Sequence, residues 1–194
     1  MKRLVIFASG AGSNAENIIR HFAENTSVEV AAVLSNKADA GVLDKAERYG
    51  VARIVFTKTE LNDGSVLSAV NRIKPDLIVL AGFLLQFPET IIAQYPNQII
   101  NIHPALLPKY GGKGMYGMHV HRAVRDNNES ETGITIHYVD AHYDEGDIIF
   151  QQSVALNGTE TCEEISAKVQ QLEHDHFPRV IEHLLVEPSN RTIA

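Results

Sequence analysis

The chain has 194 residues, 17 basic and 24 acidic, for a net charge of −7; at roughly 150 residues per domain it makes one domain, and its acidity does not favour a phosphate-backbone partner. A single cysteine, Cys162, excludes an intrachain disulfide, and 44% hydrophobic with 21% charged residues excludes a disordered chain. The longest apolar run, Leu77–Leu85, falls far short of the ~20 residues of a membrane helix, and the stretch Leu4–Ala8 after Lys2-Arg3 is shorter than the ~7–15 of a signal peptide, so a soluble, cytoplasmic protein is expected.

In chain order, Arg3–Ala8 reads as a strand ending in the turn Ser9-Gly10-Ala11-Gly12. Ala15, Ile18, Ile19, Phe22 and Ala23 follow at helical spacing, with Ser13 and Glu16 placed as a capping box. Val28–Leu34 is a second strand, and residues 39–49 carry Val42, Leu43, Ala46 and Tyr49 on one helical face before the stop at Gly50. Ala52–Phe56, Leu61–Ile73 and Asp76–Ala81 read as strand, helix and strand. Unalternating apolar strands separated by helices predict a parallel sheet covered on both faces.

After Ile99–Ile102 the pattern changes. Lys109–Gly117 holds four glycines in nine residues and is expected to be a mobile loop. Thr132–Val139 and Asp147–Leu156 read as an antiparallel pair, and a long helix begins at the capping box Thr161/Glu164, with Ile165, Val169 and Leu172 on one face and Pro178 expected to kink or interrupt it. The expected fold class is α/β: a Rossmann-like parallel sheet flanked by helices, with an antiparallel strand pair in the C-terminal part. One domain over residues 1–187 and a tail over 188–194 are expected.

Two motifs carry chemistry. Gly10-Ala11-Gly12-Ser13-Asn14-Ala15 follows the dinucleotide order G-x-G-x-x-G/A between a strand and a helix, where glycines admit an anion and free N–H groups point at it. The second strand, however, ends Leu34-Ser35-Asn36-Lys37 with no acid before Asp39, and no Lys-Ser/Thr pair follows the loop. A monophosphate or other small anion fits better than a dinucleotide. A capped turn explains Ser13 alone, but it explains the two glycines and Asn14 less well. Further on, Asn101 and His103 lie two apart at a strand end closed by Pro104, so both project from one face at the edge where open α/β sheets bind ligands. An amide beside an imidazole suits a carbonyl oxygen becoming an oxyanion, and the imidazole can also move a proton. The acidic loop of Asp140, Asp144, Glu145 and Asp147 supplies a third group.

These residues fall within longer stretches that span nearly the whole chain: Ala8–Asn14, Ser35–Ala40, Leu80-Ala81-Gly82-Phe83, Asn101-Ile102-His103-Pro104-Ala105-Leu106-Leu107-Pro108-Lys109-Tyr110, His119-Val120-His121-Arg122, Gly133–His137, Asp144-Glu145-Gly146, and Val169-Gln170 through Glu173-His174. Together they resemble the phosphoribosylglycinamide formyltransferases, enzymes of purine synthesis with a formyltransferase-type fold. The resemblance implies 10-formyltetrahydrofolate as co-substrate, glycinamide ribonucleotide as formyl acceptor, and no metal, nucleic acid or membrane, in a monomer or homodimer. It implies Gly12, Ser13 and Asn14 at the ribonucleotide phosphate, with Gln170 and Glu173, i,i+3 on one helical face, at the substrate's polar groups. Asn101 and His103 would polarise the formyl oxygen, and Asp144 would favour the charged form of His103 and help pass the proton from the attacking amine. Leu84, Leu85, Gln86 and Phe87, with Asn101 and the Asp140–Asp144 loop, Asp140 included, would line the folate pocket.

The chain departs from the family's usual pattern in a longer Gly111–Gly117 stretch, in Ala105 and Asp147, and in lacking an arginine after the third strand, where Lys58 and Gly64 stand. The related 10-formyltetrahydrofolate hydrolase and methionyl-tRNA formyltransferase carry an extra N-terminal or C-terminal domain, so 194 residues are expected to hold the catalytic unit alone. The tRNA enzyme also has glycine in place of Pro104. A non-catalytic nucleotide sensor would explain the glycine loop, but it gives no reason for Asn101, His103 and Asp144 together. His119/His121 and His174/His176 are spaced by two, which splays side chains ~200° apart on a helix and disfavours metal ligation. His121, His137 and His174 are expected on the surface or behind the reacting groups, and Cys162 in packing.

Overall fold

In the computed structural model, which describes residues 1–186, seven strands form one sheet in the order β3-β2-β1-β4-β5-β6-β7. They are β1 (Lys2–Phe7), β2 (Val28–Ser35), β3 (Ala52–Val55), β4 (Leu77–Leu80), β5 (Ile99–His103), β6 (Glu131–Tyr138) and β7 (Ile148–Ala155), with helices α1 (Ser13–Phe22), α2 (Gly41–Arg48), α3 (Lys58–Asn62), α4 (Ser65–Ile73), α5 (Glu89–Gln94), α6 (Met118–Asp126) and α7 (Cys162–Val186). Strands β1 to β5 are parallel, and β6 and β7 are antiparallel additions. The expected tail lies outside the described residues.

The apolar runs of the parallel strands split by period two between two cores. Leu4 and Ile6 face α1, α2 and α7, meeting Ile18, Phe22, Val42, Phe177 and Ile181, while Val5 and Phe7 face α3, α4 and α5, meeting Leu61, Val66, Val70 and Ile91. Because β4 lies on the opposite side of β1 from β2, the strand order reverses between β1 and β4. The Gly10–Asn14 turn, the segment after Leu80 and the end of β5 therefore share one edge, where an α/β sheet leaves a crevice.

Local chemistry corrects several expectations. The Ser13–Glu16 capping box does not form: Gly12 precedes α1 in a left-handed conformation (φ 72°), and the Glu16 carboxylate pairs with Lys45 Nζ at 2.7 Å. A Cβ on Gly12 would run into the Val42 side chain, so this glycine also permits the close seating of α2. Helix 61–73 is two helices, α3 and α4, broken at Gly64 (φ 93°), and α3 begins with a capping box of Thr57 and Glu60. Tyr49 lies past the end of α2 and is 42% exposed rather than on its buried face. The Thr161/Glu164 box does form, at 2.7 and 3.2 Å.

Pro178 does not interrupt α7, which runs unbroken to Val186. Proline lacks the N–H that would bond the carbonyl four residues back. That carbonyl, on His174, accepts instead from Asn17 Nδ2 on α1 at 2.8 Å. The defect in one helix becomes its bond to another.

Candidate active site

A pocket of about 680 Å³ opens at the crevice edge. It is lined by Asn101 and His103 of β5, the Phe83–Phe87 segment, the loop 139–144, the glycine-rich loop 112–117, and Asn14, Gln170 and Glu173. Asn101 and His103 share a face because they are two apart on a strand, and β6 sets His137 directly opposite Asn101. Asp144 comes from the β6–β7 connection, in a left-handed conformation (φ 58°), and reaches both histidines: Oδ2 is 3.5 Å from His103 Nδ1 and Oδ1 is 3.5 Å from His137 Nε2. Gly146 lets that connection pass, since any Cβ there would strike the Tyr138 carbonyl.

Hydrogen-bond chemistry assigns the protons. A carbonyl only accepts, so His103 Nε2, 2.7 Å from the Tyr110 carbonyl oxygen, carries a hydrogen and Nδ1 is the nitrogen left for chemistry. His137 Nδ1 likewise donates to the Tyr138 carbonyl at 2.8 Å, leaving Nε2 between the Asn101 amide (3.2 Å) and Asp144. Accepting from Asn101 fixes that amide with its second N–H free.

Burial dominates the titration of His103 and holds its pKa below the usual imidazole value, against the opposing pull of Asp144 and the Tyr110 carbonyl. Asp144 thus pulls His103 toward its charged form, but burial outweighs it and favours the neutral imidazole. For Asp144 burial raises the pKa, but its contacts with His137 and His103 and the bond from the Gly112 N–H (2.9 Å to Oδ2) outweigh it and keep the carboxylate low. An ionised acid beside a neutral imidazole results.

At the α1 end, Asn14 Nδ2 donates to Glu173 at 2.8 Å and Gln170 Nε2 donates to Ser13 Oγ at 3.2 Å, so the N-terminus of α1 and the middle of α7 form one cradle. Burial raises the Glu173 pKa despite the bond from Asn14. Asn14 Oδ1 is buried with no partner in the described structure, a polar atom left for a ligand. Asn14, Gln170 and Glu173 line the pocket; Gly12 and Ser13 stand behind them and do not. At the other end Leu84, Leu85, Gln86, Phe87 and Asp140 all line it, Phe87 edge-on to Phe7 at 5.0 Å and Leu84 47% exposed.

His137 and His121 are buried, at 2% and 4% exposure, which excludes the surface and leaves the expected place behind the reacting groups. Two features escaped the sequence reading, the Tyr110 carbonyl and Lys113. The Tyr110 carbonyl is a backbone group that no letter announces. Lys113, in the longer glycine loop, is the only Lys or Arg among the described residues that line the pocket. Among the described residues no three His, Cys, Asp or Glu side chains group as a metal site would need, and no helix is long and apolar enough to cross a membrane.

The formyl transferase family matches residues 2–181. The phosphoribosylglycinamide formyltransferase of Escherichia coli is 35% identical over 92% of this chain and 84% of its own length. This chain belongs to the phosphoribosylglycinamide formyltransferase family. A chloroplast phosphoribosylglycinamide formyltransferase of Vigna unguiculata is 37% identical over 96% of this chain, which spans only 62% of that relative's length. Among solved structures, phosphoribosylglycinamide formyltransferase of Anaplasma phagocytophilum superposes with a TM-score of 0.88 at 30% identity, covering 96% of this chain and 87% of that one. The parallel sheet with its antiparallel β6 and β7 is thus the formyltransferase fold.

Proposed function

We propose that this chain transfers the formyl group of 10-formyltetrahydrofolate to the amine of N1-(5-phospho-D-ribosyl)glycinamide, a step of de novo purine biosynthesis, with the cytoplasm as its compartment. The observation that carries the reading is the convergence of Asn101, His103 and Asp144 at the junction between two unlike halves of one pocket. The polar half, with the N–H groups of α1 and the Asn14–Glu173 pair, suits a phosphorylated sugar. The apolar half, from Leu84 to Phe87, suits a flat heterocycle.

The free amine attacks the formyl carbon, forming a C–N bond and placing negative charge on the formyl oxygen. The spare N–H of Asn101 donates to that oxygen. His103 Nδ1, 3.5 Å from Asp144, can hold the one proton that leaves the new ammonium, passed to it through Asp144, while the negative charge stands beside it. Asp144, held ionised, accepts the proton that the new ammonium must lose. Its return to N10 of the folate lets the C–N10 bond break, the carbonyl re-form and tetrahydrofolate leave. Lys113, a basic residue of the lining, is suited to meeting one of two anionic substrates.

Purified chain supplied with both substrates should yield formylated ribonucleotide and tetrahydrofolate in equal amounts. Formate released without ribonucleotide would instead indicate a hydrolase, and binding without turnover a sensor.

A further inference from the structure

The nitrogen of His103 that meets the substrate is decided by a backbone carbonyl, and that carbonyl belongs to a residue in an unfavourable conformation. Tyr110 has φ 58°, a left-handed backbone that a non-glycine residue keeps only where its surroundings hold it. The hold is visible. Glu129, just beyond the end of α6, accepts from the Tyr110 hydroxyl at 2.8 Å and from Lys109 Nζ at 2.9 and 3.2 Å, gripping two consecutive side chains. The ring of Tyr110 packs against Ala105, Val120 and Val124. Two residues on, the Gly112 N–H donates to Asp144 Oδ2. One short segment therefore orients both members of the His103–Asp144 pair, presenting a carbonyl to the first and an N–H to the second.

Resting on the transferase reading, we propose that Glu129, acting through the Tyr110 hydroxyl, is a positioning residue that keeps the Tyr110 carbonyl on His103 Nε2 and so reserves Nδ1 for the reaction. The phenol is suited to a permanent donor role, because burial, and then Glu129 itself, push its pKa up to about 12.

The test combines nitrogen-15 NMR of labelled histidine with steady-state kinetics. In the parent protein neutral His103 should be a single tautomer, protonated at Nε2. Tyr110→Phe, which keeps the ring and its packing, and Glu129→Ala should each give a mixture of tautomers and lower kcat about tenfold, with KM for both substrates unchanged within about twofold. Glu129→Gln, which still offers the hydroxyl an acceptor, should recover the single tautomer and most of the kcat lost in Glu129→Ala. Parental kcat in Tyr110→Phe and Glu129→Ala would overturn the proposal, as would a kcat loss with the tautomer unchanged. If the parent protein transfers no formyl group, the proposed function fails, yet the spectra still decide the brace: one unchanged tautomer in every variant would overturn it.

Discussion

The α1–α7 wall of the pocket consists of two helices bonded to each other along their length, whereas the wall that holds His103 and Asp144 in place consists of loops with left-handed residues at Tyr110 and Asp144. Helices fix a subsite by burying it, and Glu173 is taken out of water there at the expense of its own ionisation. Loops fix a group by aiming single backbone atoms at it, as at His103 Nε2 and Asp144 Oδ2. The helical wall is suited to binding and the loop wall to moving protons, so damage to each should appear in a different kinetic constant.

The largest expected effect is on the loop wall. His103→Ala or Asp144→Asn should keep a parental circular-dichroism spectrum and lose at least ~10²-fold in kcat, and near-parental turnover in either folded variant would sink the mechanism. On the helical wall, Glu173→Gln should raise KM for the ribonucleotide about tenfold, which is about 1.4 kcal/mol, and leave KM for the folate alone. A fall in kcat without a change in that KM would erase the division of labour. Lys113→Met should cost less, a rise of ~2–5-fold in KM for one anionic substrate, as for a partly screened charge; unchanged KM for both would remove Lys113 from the site.

The smallest effect is on stability. Burial holds the pKa of both His103 and His121 below 6.5 in the folded protein. As pH falls below that value the unfolded chain takes up these protons first, so stability should drop on acidification. Glu173, whose folded pKa is raised above 4.5, works in the opposite direction and blunts the drop. Thermal melts of His121→Gln between pH 7.5 and 5.5 should show a shallower fall than the parent, and an equal slope would mean that His121 titrates as if exposed.

How much of this was legible in the sequence depends on the kind of information each feature needs. Strands β1 and β4 were plain because burial on both faces leaves an unbroken apolar run. The Asn101–His103 pair was legible because a two-residue period and a terminating Pro104 are local facts. The break at Gly64 was hidden because the apolar periodicity continues across it from Leu61 to Ile73. His137 was missed as a partner because its place opposite Asn101 depends on the β5–β6 pairing register, which neither strand encodes alone. The capping box at Ser13 was misread because Lys45, 29 positions further along the chain than Glu16, claims that carboxylate. Roles for Gln170 and Glu173 came with the resemblance; the helical spacing gave only their shared face.

The bonds between α1 and α7 also bear on how the protein is made. Asn14–Glu173 joins residues 159 positions apart, and Ser13–Gln170 and Asn17–His174 join residues 157 apart. A ribosome releases the glycine turn well before α7, and N-terminal portions fold first during synthesis. A nascent chain holding the first five strands has its glycine turn but only half of the cradle. The proposed ribonucleotide substrate would therefore stabilise the fold with α7 docked on α1 and not the one without it, and its protection against proteolysis would report that docking.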